Sequence, residues 1–143
     1  MIEFGEKKPG VRYEDRPASY GFLLAPDKRL ALIRTPMGLF LPGGGLEAQE
    51  TFEQTLAREF MEEIGYQVSA AVELGQAVQY HWSEFYQTHF RKEGHFFAVQ
   101  AQPVPGKTWQ KDHELIWRPH SAAVKELTQE FQRWATLKLL TRN

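Results

Sequence analysis

The chain has 143 residues, no cysteine and a formal net charge of −1, from 17 Lys+Arg against 18 Asp+Glu. That length reads as one domain, and the missing cysteine excludes a disulfide framework, a Cys-type zinc site and a cysteine nucleophile. The charge balance argues against a nucleic acid polymer or an anionic membrane as partner, and with neither an apolar run of roughly 18 residues nor a signal-type N-terminus the expected location is cytoplasmic.

In chain order, residues 1–17 carry Pro9, Gly10 and Pro17 and read as a polar lead-in with little regular structure. Ala18–Ala25 is apolar and partly aromatic, a strand. Pro26-Asp27 marks a turn, and Arg29–Thr35 reads as the returning strand of a hairpin. Leu39–Leu41 is a short strand that runs into the Pro42-Gly43-Gly44-Gly45 loop. The clearest helix follows. Thr51 and Gln54 fit a capping box, Phe52, Leu56, Phe60 and Ile64 recur at helical spacing, and Gly65 supplies a left-handed stop. Val68–Trp82, bent at Gly75, and Glu93–Gln102 read as strands around a polar-aromatic loop, Ser83–Lys92. Glu114–Arg118 is a further strand, and Ser121–Leu127 and Gln129–Leu140 are helical. The order β-β-β-α-β-β-β-α predicts a layered α/β fold with a mixed sheet.

Near-neutrality conceals a local excess of acid. Residues 47–63 hold six of the eighteen acids, with only Arg58 opposing them. At about 100° per residue, Glu59, Glu62 and Glu63 form one stripe roughly 100° wide, bordering the apolar face instead of opposing it. Like charges at i,i+3 and i,i+4 destabilise a helix, and its C-terminal end disfavours anions. The bland reading is a solvated charged face. Broken local rules more often mark a functional site, and convergent carboxylates suit a hard cation such as Mg²⁺ or Mn²⁺. The glycine run before the helix lets the backbone approach a ligand closely.

Gly44, Glu50 and the run Arg58-Glu59-Phe60-Met61-Glu62-Glu63-Ile64-Gly65-Tyr66 resemble the Nudix box, GX5EX7REUXEEXGU, at every fixed position. The soft departure is Tyr66, where an aliphatic residue is usual. Seven fixed residues at this spacing arise by chance with a probability of roughly 10⁻⁷. The resemblance, MutT-like, implies the α/β/α Nudix sandwich and hydrolysis of a nucleoside diphosphate linked to another moiety. The expected partner is thus a small nucleotide-type diphosphate, not a polymer or a membrane. It also implies Glu59 and Glu63 as principal metal ligands, assisted by Glu62 and the Gly43 carbonyl, with Arg58 orienting Glu59 and Glu50 bracing the loop. The base would be Glu59 or a later acid; Glu114 ranks before Glu93 and Glu84.

The loop from Tyr80 to Lys92 offers Tyr80, Phe85, Tyr86 and Arg91 as substrate-binding residues, since aromatics with cations suit a nucleobase and its phosphates. The alternative there is a hydrophobic clamp or a homodimer contact. His81, His89 and His95 fit no compact zinc spacing. Two other functions remain in view. One is a catalytically silent Nudix domain that binds a nucleotide or partner. The other is an isopentenyl-diphosphate-type isomerase, which the missing cysteine disfavours.

Overall fold

The computed structural model describes residues 1–107 and 110–140. Eight strands and three helices follow in order: β1 (Ile2–Phe4), β2 (Glu14–Leu23), β3 (Leu30–Thr35), β4 (Gly38–Phe40), β5 (Gly43–Gly45), α1 (Phe52–Ile64), β6 (Tyr66–Ser83), β7 (Thr88–Pro103), β8 (Glu114–Arg118), α2 (His120–Glu126) and α3 (Glu130–Lys138). Five strands form a mixed sheet in the order β1-β6-β7-β2-β5, and three form a second sheet, β4-β3-β8. The predicted α/β class and layered architecture hold.

Each face of the larger sheet has its own core. Leu56, Phe60 and Ile64 of α1 pack on Phe97, Val99 and Leu23. On the other face Phe131 and Ala135 of α3 meet Tyr20, Phe22 and Phe96. Strand alternation produces this division, because successive side chains point to opposite faces. β3 shares in both cores, and its residues Leu30–Ile33 are fully buried.

Helix α1 carries both predicted ends. Thr51 N–H donates to Gln54 Oε1 at 2.9 Å, and Gln54 N–H donates to Thr51 Oγ1 at 3.1 Å. Gly65 closes the helix at φ 67°. Phe60 sits so close beneath β2 that a Cβ on Gly21 would lie 2.7 Å from its ring.

Four expectations change. The predicted hairpin between residues 18–25 and 29–35 is reduced to one bridge, Leu24–Leu30, after which the strands enter different sheets. β3 is apolar on both sides and gains more by pairing with β8 between the two cores. The lead-in is not irregular: β1 pairs with β6, and Glu14–Pro17 extend β2 along β7. Those residues are too polar to announce a strand, and backbone pairing supplies what their side chains do not. The loop 83–92 shrinks to a turn between Ser83 and Thr88, with Gln87 at φ 51°. The glycine run is itself a strand, β5, paired antiparallel with β2. The bend expected at Gly75 is present as a register shift between Glu73 and Gly75.

Candidate active site

Arg58 organises the acidic end of α1. Its Nε and Nη2 donate to the two oxygens of Glu50 at 2.7 and 3.0 Å, a bidentate pair. Nη2 also donates to the Gly45 carbonyl at 3.1 Å, which ties helix to glycine strand. Nη1 reaches Glu59 Oε2 and Glu62 Oε1, both at 3.2 Å. Glu50 accepts further from Thr55 Oγ1 at 2.7 Å and from the Glu47 N–H at 2.9 Å. Hydrogen bonds from Arg58, then from Thr55 and Glu47, pull the Glu50 carboxyl down to about 2. It is a braced, permanently charged group.

Glu59 and Glu63 are in the opposite condition. Burial first, then the neighbouring Glu63 charge, pushes Glu59 up to about 7, although Arg58 opposes the shift. Glu63 is 8% exposed. Its Oε1 accepts from the Gly43 N–H at 2.8 Å, and its Oε2 lies 3.5 Å from His113 Nδ1. Burial raises the Glu63 carboxyl above its usual range even so. The His113 contact is long for a hydrogen bond, and the buried Nδ1 has no other partner among the described residues. Glu63 holds His113 above its ordinary range. The Glu59 carboxylate lies directly under Gly44, where an added Cβ would stand 2.5 Å from Oε2. The box glycine is thus a matter of space as well as turning.

These residues border a cleft of about 520 Å³, within the usual range for small-molecule sites. Gly43, Gly44, Gly45, Glu63 and His113 line one end. Lys92, Gln79 and His81 line the cleft from β6 and β7, Arg16 reaches from β2 to Gly45, and Met37, Phe40 and the start of α3 complete the lining. Two glutamines hold the walls together. Gln132 Oε1 accepts from the Leu41 N–H at 2.8 Å, and Gln79 Oε1 accepts from the Phe131 N–H at 3.0 Å.

The other predicted residues do not converge here. Tyr80 lies on the opposite face, its ring edge-on to Tyr13 at 5.0 Å. Arg91 pairs with it across the strands and faces Asp15 at 3.6 Å and Glu93 at 3.8 Å. Alternation is the reason: Gln79, His81 and Lys92 take the cleft side, so their neighbours cannot. Phe85 and Tyr86 sit at the exposed hairpin turn, Phe85 at 80% exposure. Tyr86 reaches the cleft only through Arg16, whose guanidinium lies 5.6 Å from its ring centre. Glu114 is mostly exposed and 4.0 Å from Arg34, in a shallow depression outside the cleft. Glu93 is taken by His95 at 2.9 Å, and Glu84 belongs to the hairpin turn.

Sequence reading gives no site role to His113 or Arg16, and has Lys92 only among the cations of the 80–92 loop. His113 is the immediate neighbour of Glu114, the acid ranked first. Arg16 lay in a segment read as lead-in, and Lys92 in a segment read as loop. The alternation of Gln79 and His81 was the one usable signal.

No group of three or more His, Asp or Glu side chains among the described residues is gathered as a metal centre. Arg58 holds Glu59 and Glu62, while Gly43 and His113 hold Glu63. The donors nonetheless fit a hard divalent cation. They are all oxygen, and burial, with like charge nearby as a smaller addition, raises both carboxyls, a cost that a bound cation would relieve.

Among solved structures, the fold is similar to a mutator MutT protein from Bacillus halodurans, with TM-score 0.71 and 18% identity over 89% of this chain and 83% of that one. A MutT protein from Methanosarcina mazei Go1 gives 0.69 and 16% over 93% and 100%. An ADP compounds hydrolase gives 0.66 and 18% over 90% and 72%. No curated protein sequence matches the chain. The NUDIX domain family matches residues 14–140. A match that runs from β2 through α3, and not over the helix motif alone, establishes that the chain belongs to the NUDIX domain family.

Proposed function

We propose that the chain is a divalent-cation-dependent hydrolase that cleaves the pyrophosphate linkage of a small nucleoside diphosphate derivative. One observation carries the reading. Glu59 and Glu63, both pushed toward protonation, lie against glycine strand β5, and Glu63 and that strand line a nucleotide-sized cleft. Family membership and the likeness to an ADP compounds hydrolase support it.

Glu59 and Glu63, with Glu62 and the Gly43 carbonyl, would hold Mg²⁺ or Mn²⁺. Such an ion, when bound, offsets phosphate charge and acidifies water. The remaining work falls to the chain itself. Arg58 fixes the Glu59 carboxylate and ties it to β5 through Gly45. Glu50 anchors Arg58. Glu59 is the favoured acceptor of the proton from the attacking water, because Glu114, Glu93 and Glu84 are engaged elsewhere. His113 steadies Glu63 from the loop before β8.

The test is a panel of nucleoside triphosphates, ADP-ribose, dinucleoside polyphosphates, NADH and sugar nucleotides, each with Mg²⁺ and Mn²⁺. Hydrolysis that Glu63→Gln lowers strongly is expected. The internal engagement of the carboxylates favours one second reading, a silent domain that binds nucleotide without turnover. Binding without hydrolysis across the panel would select it.

A further inference from the structure

We propose that the β6–β7 side of the cleft is a second anion site, where Lys92 and His81, with Arg16 reaching between them and the glycine strand, hold a phosphate group that the substrate carries outside its scissile diphosphate. The proposal rests on the hydrolase reading for the word substrate. The site itself rests on four features of the geometry.

Charge compensation is the first. Arg29, Arg58, Arg91 and Arg118 each face a carboxylate within 4.0 Å. Arg16 and Lys92 face none among the described residues, and both line the cleft. Two cations placed together with no counter-ion break the rule that sheltered charges are paired.

The way Arg16 is held comes second. Its guanidinium lies 5.6 Å from the ring centre of Tyr86 and 5.3 Å from that of Phe90. Ring faces orient a guanidinium without neutralising it. The same group lies against Gly45, where an added Cβ would be 2.9 Å from Cζ. Arg16 is therefore preorganised, and its charge is free for a ligand.

The third feature is adjacency. Lys92 pairs with Arg16 on one side and with Gln79 on the other, and His81 is the next cleft-facing residue of β6. Burial, then Arg16, lowers Lys92 to about 8. Burial, then Lys92, lowers His81 to about 4. His81 is thus neutral near pH 7 and supplies one N–H donor beside two cations. That set matches a dianionic phosphate, which accepts on several oxygens at once.

Distance is the last. β6 is separated from β5 by β7 and β2, so His81 stands about 14 Å and Lys92 about 10 Å across the sheet from the glycine strand, whereas Arg16 reaches back to Gly45 between the two places. A diphosphate seated beside Glu59 and Glu63 has two phosphorus atoms sharing one bridging oxygen, too short a unit to fill both places. The group at Lys92 is then a further one.

The test uses metal-free, full-length protein titrated with inorganic phosphate near pH 7, with the His81 ring signals followed by NMR. A saturable shift is expected. Lys92→Met and Arg16→Met should each weaken it about tenfold or more, Lys92→Arg should restore much of it, and Arg29→Met, of equal charge change, should leave it alone. A second arm compares hydrolysis of NADH with NADPH, and of dephospho-coenzyme A with coenzyme A, with KM about tenfold lower for the phosphorylated member of each pair. No His81 response, or one that survives Lys92→Met, overturns the site and leaves the hydrolase reading standing. A phosphate response with no hydrolysis of any diphosphate does the reverse.

Discussion

The two ends of the cleft are opposite in charge and in the way they are built. The acidic end comes from residues 43–63, a glycine strand and the helix that follows it, wired by one guanidinium that donates to Glu50, Glu59, Glu62 and Gly45. The basic end comes from three strands, with Arg16, His81 and Lys92 far apart in the chain, and ring faces in place of acids. One end is thus wired locally around one guanidinium, which leaves Glu59 and Glu63 only partly compensated. The other exists only when β2, β6 and β7 are in register. Residues close in sequence can build a charged site through local hydrogen bonds, whereas residues distant in sequence need the whole sheet.

The comparison breaks most severely if the ground under α1 is removed. Phe60 is fully buried, and Phe60→Ala should cost about 3–5 kcal/mol in denaturant unfolding. The basic end should suffer with it, since both depend on the larger sheet. Next comes Glu63→Gln, which should lower hydrolysis roughly 100-fold. The same change removes a buried charge, so the metal-free protein should melt at a higher temperature than wild type. Activity and stability moving in opposite directions identifies a group held at a cost for a cation.

A pH series separates two carboxylates of the acidic end. Glu59 has its folded value raised to about 7, so its favourable share of stability is full below about pH 4.5 and is lost as pH rises through about 7, about 2–3 kcal/mol in metal-free protein. Glu50 has its folded value lowered to about 2, so its share is present above about pH 4.5 and is lost as pH falls toward about 2. In unfolding curves above about pH 4.5, both variants should differ from wild type and in opposite senses, Glu59→Gln more stable and Glu50→Gln less stable. The Glu59 difference should grow between about pH 4.5 and 7, the Glu50 difference should vanish as pH falls toward about 2, and saturating Mg²⁺ should abolish the Glu59 difference. Thr51→Ala should cost about 1 kcal/mol through the lost cap, measured by thermal unfolding. The smallest effect is expected at Phe85, whose exposed ring is outside the cleft. Phe85→Ser should change stability by less than about 0.5 kcal/mol and leave KM unaltered.

The acidic end was legible because a helix turns the spacing of Glu59, Glu62 and Glu63 directly into a shared face, and because Thr51 and Gly65 mark its limits. The candidate later acid shows where such reading fails. Glu114 and His113 are adjacent in sequence, yet His113 meets Glu63 and Glu114 faces Arg34. A turn with Asp112 at φ 68° precedes them, and β8 fixes their directions through its pairing with β3. Tyr80 and Arg91 failed for a related reason. Their composition was right for a nucleotide, but the phase of β6 and β7 sends them to the other face.

By itself the sequence determined the helix, its caps, the carboxylate stripe, the glycine approach and the order of most strands. Each follows from chemistry within a few residues: period, capping hydrogen bonds and the absence of a side chain. The tertiary structure alone decided that β2 and β3 separate into two sheets, that residues 14–17 and 88–92 are strands, and that Arg16, His81 and Lys92 share a cavity. Those outcomes depend on strand partner and register, and a shift of one residue in either would send every side chain to the opposite face.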